Sequence, residues 1–240
     1  MTSAKKTNTR FLPKGLFILY EDRDLLVVNK PASLLTISTD SEKAKTAYAA
    51  LTDYVKKGST RSPHRIFIVH RLDRDTSGLL LFAKTETAKQ TLQNHWDETS
   101  KQYIAVTHGN WKEKSGKISS YLTESKAQVV YSTKDPELGK LSHTEYAVLK
   151  ETDKYSLLQI NLLTGRKNQI RVHCSEQNHP IVGDSKYGEP KRNYPRMALH
   201  AWSIRFKHPF SGKEMEFKAE IPQFLTGLVG GIADSKFEST

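Results

Sequence analysis

Two continuous apolar runs, IFIV (66–69) and LLLFAK (79–84), are separated only by HRLDRDTSG (70–78). Neither run alternates as a half-exposed strand would, so both predict strands covered on two faces. Such a pair needs a core built around it, and the polar connection must emerge at the rim of that core. Asp73 therefore sits where a carboxylate begins to lose water, and Thr76, Ser77 and Gly78 supply the turn before the second run. Two readings stay open from the segment alone. Asp73 and Asp75 are turn caps paired with Arg71 and Arg74, or one of them is held charged as a base or nucleophile.

The rest of the chain surrounds this pair with more strands than helices. Strand-like runs occur at 16–21, 24–30, 101–109, 128–133, 143–150, 155–163, 198–207 and 214–220. Helical spacing appears over 41–57, 86–97 and 167–177, with a short helix after Pro222. Residues 111–128 are polar and read as an excursion. Many strands follow one another with no helix between them. That pattern predicts an α+β fold with a large mixed, mainly antiparallel sheet flanked by helices and loops. No repeat or Ser/Gly/Pro-rich linker divides the chain, so a single domain is expected over 14–240, after a flexible basic tail at 1–13.

Charge narrows the partner. Lys and Arg outnumber Asp and Glu by 37 to 26, a net charge of +11, which favours a polyanion and nucleic acid first. The one cysteine, Cys174, cannot form an intramolecular disulfide or a multi-thiolate zinc site. Neither HExxH, a P-loop nor GxGxxG occurs, so no metal site or nucleotide cofactor is expected. GDSKYG (183–188) lacks the spacing of a serine-hydrolase elbow. Apolar stretches are too short to span a membrane and residues 1–10 do not resemble a secretory signal, so a cytoplasmic protein is expected.

Three further segments could carry chemistry. In TGRKNQIRVH (164–173) a helix is expected to start directly after Thr164-Gly165, with Arg166, Lys167 and Arg171 on or beside its first turns. Such a terminus attracts phosphate. Asn168 and Arg171 should share a face turned away from Ile170 and Cys174, unless the segment is only a solvated basic face. Tyr103, in KQYIAVTHG, is either core or a ring that stacks on a nucleobase. HPIVGDSKYG (179–188) reads as an ordered loop in which two glycines bracket an acid and a tyrosine.

Together these segments resemble the RluA family of pseudouridine synthases. HRLDRDTSGLLLFAKT (70–85), KQYIAVTHG, TGRKNQIRVH, HPIVGDSKYG and ALHAWSIRFKHP (198–209) occur in that family's order, after an ILYEDRDLLVVNKPASLL opening (18–35). The resemblance covers roughly residues 15–222. It implies the pseudouridine synthase fold and an enzyme that cuts the N1–C1′ bond of a uridine in RNA, turns the uracil and rejoins it through C5. Substrate and product are isomers, so no cofactor is implied.

By the same resemblance Asp73 is the catalytic carboxylate, Tyr103 the tyrosine packed on the uracil, and Arg171 the cation paired with that carboxylate. Arg71 matches an arginine implicated in filling the space left by the flipped nucleotide, and Leu199 an apolar residue of the base pocket. Arg166, Lys167 and Asn168 are assigned to RNA contacts. Asp75 falls at a position the family leaves open.

Three departures stand out. Ser33 in KPAS occupies a position where the family usually has Gly, Lys167-Asn168 replaces the commoner Thr-His pair, and no S4-type domain is expected ahead of the catalytic strands. The expected partner is a ribosomal or transfer RNA, with no membrane and no obligate protein partner, bound by a monomer. A non-catalytic RNA-binding or RNA-folding protein on the same fold is the alternative. A glycosidase using Asp73 and Asp75 is disfavoured, because residues two apart on a turn are poor candidates for the carboxyl separation such enzymes need.

Overall fold

The computed structural model describes residues 12–38, 46–188 and 194–232. Most of the expected basic tail, and the expected helical residues 41–45, lie outside them. The chain forms two compact units. The first comprises residues up to Thr99 together with Ile204–Ala219, and the second Ser100–Ser203 together with the residues from Glu220. Among the described residues no helix is long and apolar enough to cross a membrane.

The first unit is organised by its most apolar strand. β1 (Phe17–Glu21), β2 (Leu25–Lys30) and β4 (Ser77–Ala83) pair antiparallel in the order β1-β2-β4, and β3 (Phe67–Ile68) adds to β4. Every residue of β4 is buried, including Ser77 and Gly78, which the spacing places in the turn, and each of its large apolar side chains contributes about 1.5–3 kcal/mol; β3, expected to be covered on two faces, is instead two half-buried residues long. Two helices fold against these strands. α1 (Ala47–Val55) and α2 (Glu86–Asn94) are capped by Thr46 and Thr85, whose side chains accept from the N–H groups of Ala49 and Ala88. Ala88 and Leu92 of α2 join Val27, Leu79, Leu81, Ile204 and Phe206 in one apolar cluster.

A polar knot closes the β1–β2 turn. Asp22 Oδ1 accepts from the N–H groups of Asp24 (2.8 Å) and Leu25 (2.7 Å), while Oδ2 accepts from the Tyr20 hydroxyl (2.7 Å) and bonds His208 Nε2 (2.9 Å). His208 Nδ1 accepts from the N–H groups of Phe210 and Ser211, so the proton shared with Asp22 is on Nε2. Burial alone would raise the Asp22 carboxyl, but the bonds from Tyr20, the two N–H groups and His208 outweigh it and the net shift is downward. A carboxyl lowered on folding stabilises the fold above its unfolded pKa, near 4, and the gain disappears as pH falls through the lower folded value. Asp22→Asn should therefore cost about 1 kcal/mol at pH 7. The deficit should shrink below about pH 4, as urea unfolding at several pH values would measure.

The second unit holds β5 (Ser100–His108), β6 (Ser115–Glu124), β7 (Val130–Thr133), β8 (Lys140–Glu151) and β9 (Tyr155–Leu162), in the order β5-β9-β8-β6-β7 and antiparallel throughout. β10 (Leu199–Lys207) begins in this unit and ends in the first, where β11 (Glu214–Lys218) pairs with it. α3 (Gln169–Glu176) and α4 (Gln223–Leu228) complete the elements. The expected α+β class, mainly antiparallel with few helices, is what the chain adopts.

One expectation fails outright. Residues 111–128 are no excursion, because β6 runs through them and pairs with β8 from Ser115↔Ala147 to Leu122↔Lys140. Within β6 only Leu122 is buried. Its place in the sheet comes from the backbone ladder rather than from an apolar face, and hydropathy does not register a ladder.

Candidate active site

The loop bearing Asp73 is anchored on both sides through its backbone. Lys30, fully buried at the end of β2, gives its ammonium to the carbonyl oxygens of Pro31 (3.0 Å), Leu34 (2.7 Å) and Arg74 (3.0 Å). Thr36 Oγ1 donates to the Leu72 carbonyl (2.8 Å) and accepts from the Leu72 N–H (3.2 Å). The residues before and after Asp73 are thus tied to one turn, 30–36. Further back, His70 Nε2 accepts from the Leu81 N–H (3.0 Å) and its ring packs on Trp96. Asp73 itself is partly buried, and Arg71 and Arg74 are exposed. A carboxylate at a rim position, on a backbone that cannot drift, suits chemistry on a bound group.

The same turn carries a departure from the family pattern. Ser33 has φ = 63°, in the left-handed region where a Cβ is unfavourable and glycine is at ease. Ser33→Gly should leave activity intact and stabilise the protein by up to about 1 kcal/mol. Thermal unfolding of the two proteins would show a higher midpoint for the variant.

In the second unit, Tyr103 lies on β5 opposite Ile160 of β9 and is largely buried. Leu199, the first residue of β10, is also buried. Arg166 and Lys167 are exposed, and Lys167 pairs with Glu124 at the surface. Two expectations for this segment need correction. The helix begins at Gln169, not directly after Gly165, and Asn168 ahead of it is left-handed (φ = 55°) with no capping bond. Nor do Asn168 and Arg171 face away from the buried side: α3 is buried from Gln169 through Cys174, and Asn168 with it.

Polar side chains make that burial tolerable. The Gln169 amide donates to the His143 carbonyl (3.0 Å) and Thr144 Oγ1 (2.9 Å) and accepts from Thr164 Oγ1 (2.9 Å) and the Arg166 N–H (3.0 Å). His173 lies between Thr144 Oγ1 (2.9 Å) and Ser120 Oγ (3.0 Å). Burial lowers its pKa to about 4, so the ring is neutral at pH 7.

Arg171 is held by residues of its own unit. Its Nε donates to Asp184 Oδ2 (2.7 Å), its Nη2 to Asp184 Oδ1 (2.8 Å) and its Nη1 to Asn168 Oδ1 (2.9 Å), and the guanidinium lies 5.1 Å from the Tyr187 ring centre. Asp184 also accepts from the N–H groups of Lys186 and Tyr187. Burial pushes its carboxyl up, but Arg171 and the two N–H groups outweigh that and hold it below the ordinary value. Its loop admits only glycine at both ends. A Cβ on Gly183, at φ = 77°, would come 2.2 Å from the Arg196 carbonyl oxygen, and one on Gly188 2.4 Å from that of Asp184.

The sequence alone did not single out Lys30, Thr36, His173 or Asp184 as parts of this machinery. Only the glycine bracket around Asp184 hinted at one of them.

Comparison with known proteins fixes the family. The profile described as RNA pseudouridylate synthase matches residues 24–176. Ribosomal large subunit pseudouridine synthase D of Yersinia pestis is 34% identical over 233 residues, 90% of this chain and 70% of that protein. This chain is an RluA-family pseudouridine synthase. The RNA pseudouridine synthase YlyB of Bacillus subtilis is 35% identical over 223 residues, 90% of this chain and 73% of its own. Among solved structures, human RNA pseudouridylate synthase domain containing 1 superposes with a TM-score of 0.69 at 29% identity, covering 92% of this chain and 86% of that one. The human domain containing 4 protein shares the fold at a TM-score of 0.72, with 22% identity and coverage of 87% and 90%. The synthase is therefore an isomerase acting on uridine in RNA. It breaks the N1–C1′ bond and makes a C5–C1′ bond, while C5 loses a proton and N1 gains one.

Proposed function

We propose that the synthase modifies one or a few uridines of large-subunit ribosomal RNA, with Asp73 as the catalytic carboxylate. The two-sided anchoring of the Asp73 loop carries the assignment. In this reading Tyr103 and Leu199 receive the uracil, and Arg171 supplies the positive charge that keeps the carboxylate ionised. Arg71 occupies the space of the extruded nucleotide, and Arg166 and Lys167 meet phosphates. Flipping the uridine costs about a few kcal/mol, which phosphate contacts offset without reading sequence. Residues 14–240 act as one catalytic unit, a cytoplasmic monomer that needs neither cofactor nor protein partner.

The choice of RNA rests on the names of relatives such as the Yersinia pestis protein, and is tested by mapping pseudouridine across all RNAs in cells with and without the gene. Loss of one or a few large-subunit sites is expected. Loss confined to transfer RNA would overturn the ribosomal target. Purified protein incubated with unmodified large-subunit RNA should restore the same sites.

A further inference from the structure

We infer that Asp184 is a positioning residue for the reaction, acting through Arg171, and that Asn168 is the second member of the same clamp rather than an RNA contact. The inference rests on the role proposed above for Arg171.

A guanidinium has five N–H groups in one plane. Asp184 engages two of them side-on, at Nε and Nη2, and Asn168 engages a third at Nη1. Three bonds from two residues determine both the plane of the group and its rotation in that plane. The Asp184 side chain is fully buried and is itself fixed by the Lys186 and Tyr187 N–H groups. Asn168 is fixed in turn, because its Nδ2 donates to the Tyr187 hydroxyl (3.0 Å), which also receives the Val130 N–H (3.0 Å). Tyr187 packs with Leu122, Val130 and Val172. Each bond in this chain is spent on holding another group still, and all of them converge on Arg171.

Orientation has chemical consequences, since displacing a reacting or charge-stabilising group by about 1 Å can cost about 100-fold in rate.

The test is a double-mutant cycle read in single-turnover pseudouridine formation and, separately, in RNA affinity. Asp184→Asn should lower the rate about 30- to 100-fold while the dissociation constant for RNA changes less than about threefold. In an Arg171→Ala background the same change should add less than about threefold, because the group it positions has gone. Full additivity of the two losses would overturn the inference, as would a folded Asp184→Asn protein with an undiminished rate. If Arg171→Ala itself leaves the rate intact, the role proposed for Arg171 fails, and this inference with it. Should Asp184→Asn not fold, Asn168→Gly tests the same clamp. Glycine suits the left-handed backbone at 168, so folding is preserved while the Nη1 bond is lost. A rate loss of about five- to tenfold supports the clamp, and an unchanged rate overturns it.

Discussion

Asp73→Asn lowers the single-turnover rate of pseudouridine formation by about 10³-fold, while the protein stays folded and keeps its affinity for RNA. Lys30 holds the carbonyl of Arg74, and Thr36 holds both backbone groups of Leu72, so these anchors grip the loop by its backbone. The amide therefore keeps these backbone anchors while losing the charge and basicity that the proposed role requires. Release of tritium from C5-labelled uridine in a defined RNA measures the reaction, and filter binding the affinity. A variant retaining a tenth or more of the rate would mean that another group does the chemistry. Cells carrying only this variant separate the enzyme from a binding protein on the same fold. If modification disappears while growth still depends on the chain, a second, non-catalytic role exists beside the first.

The second large effect is on stability, at Lys30. Lys30→Met keeps the length of the side chain but removes the ammonium, leaving the carbonyls of Pro31, Leu34 and Arg74 without that donor. Lys30 is fully buried and the three carbonyls it serves are partly so, and losing the shared charged donor should destabilise the first unit by about 2 kcal/mol. Because the Arg74 carbonyl adjoins Asp73, the rate should fall as well. Equilibrium urea unfolding gives the first quantity, and a single-turnover assay well below the midpoint gives the second. Unchanged stability would show that water satisfies those carbonyls equally well.

Much of this was legible in the chain, and the exceptions share a cause. β4 declares itself because its burial is its own property, written in SGLLLFA. β6 does not, because Ser115–Glu124 owes its place to a ladder with β8, whose residues lie elsewhere in the sequence. The same holds for the sites. The family pattern singles out Asp73 from Asp75, whereas its anchor Lys30 is 44 residues from the carbonyl of Arg74 that it holds. α3 misled most. Helical spacing turned Asn168 and Arg171 away from the side buried by Ile170 and Cys174, but Asp184 and Asn168 give the arginine partners with which it is buried too. Polar residues enter a core when the fold brings them partners, and hydropathy cannot see partners thirteen positions away.

α3 also carries the chain's single thiol, Cys174, which is buried and whose pKa burial raises to about 12. It stays protonated and out of reach of alkylating reagents while the helix is seated. Its labelling rate therefore becomes a built-in clock for how often the segment bearing Arg171 lifts away from the sheet. A bound RNA that slows the clock would report stiffening of the segment bearing Arg171 without any added probe.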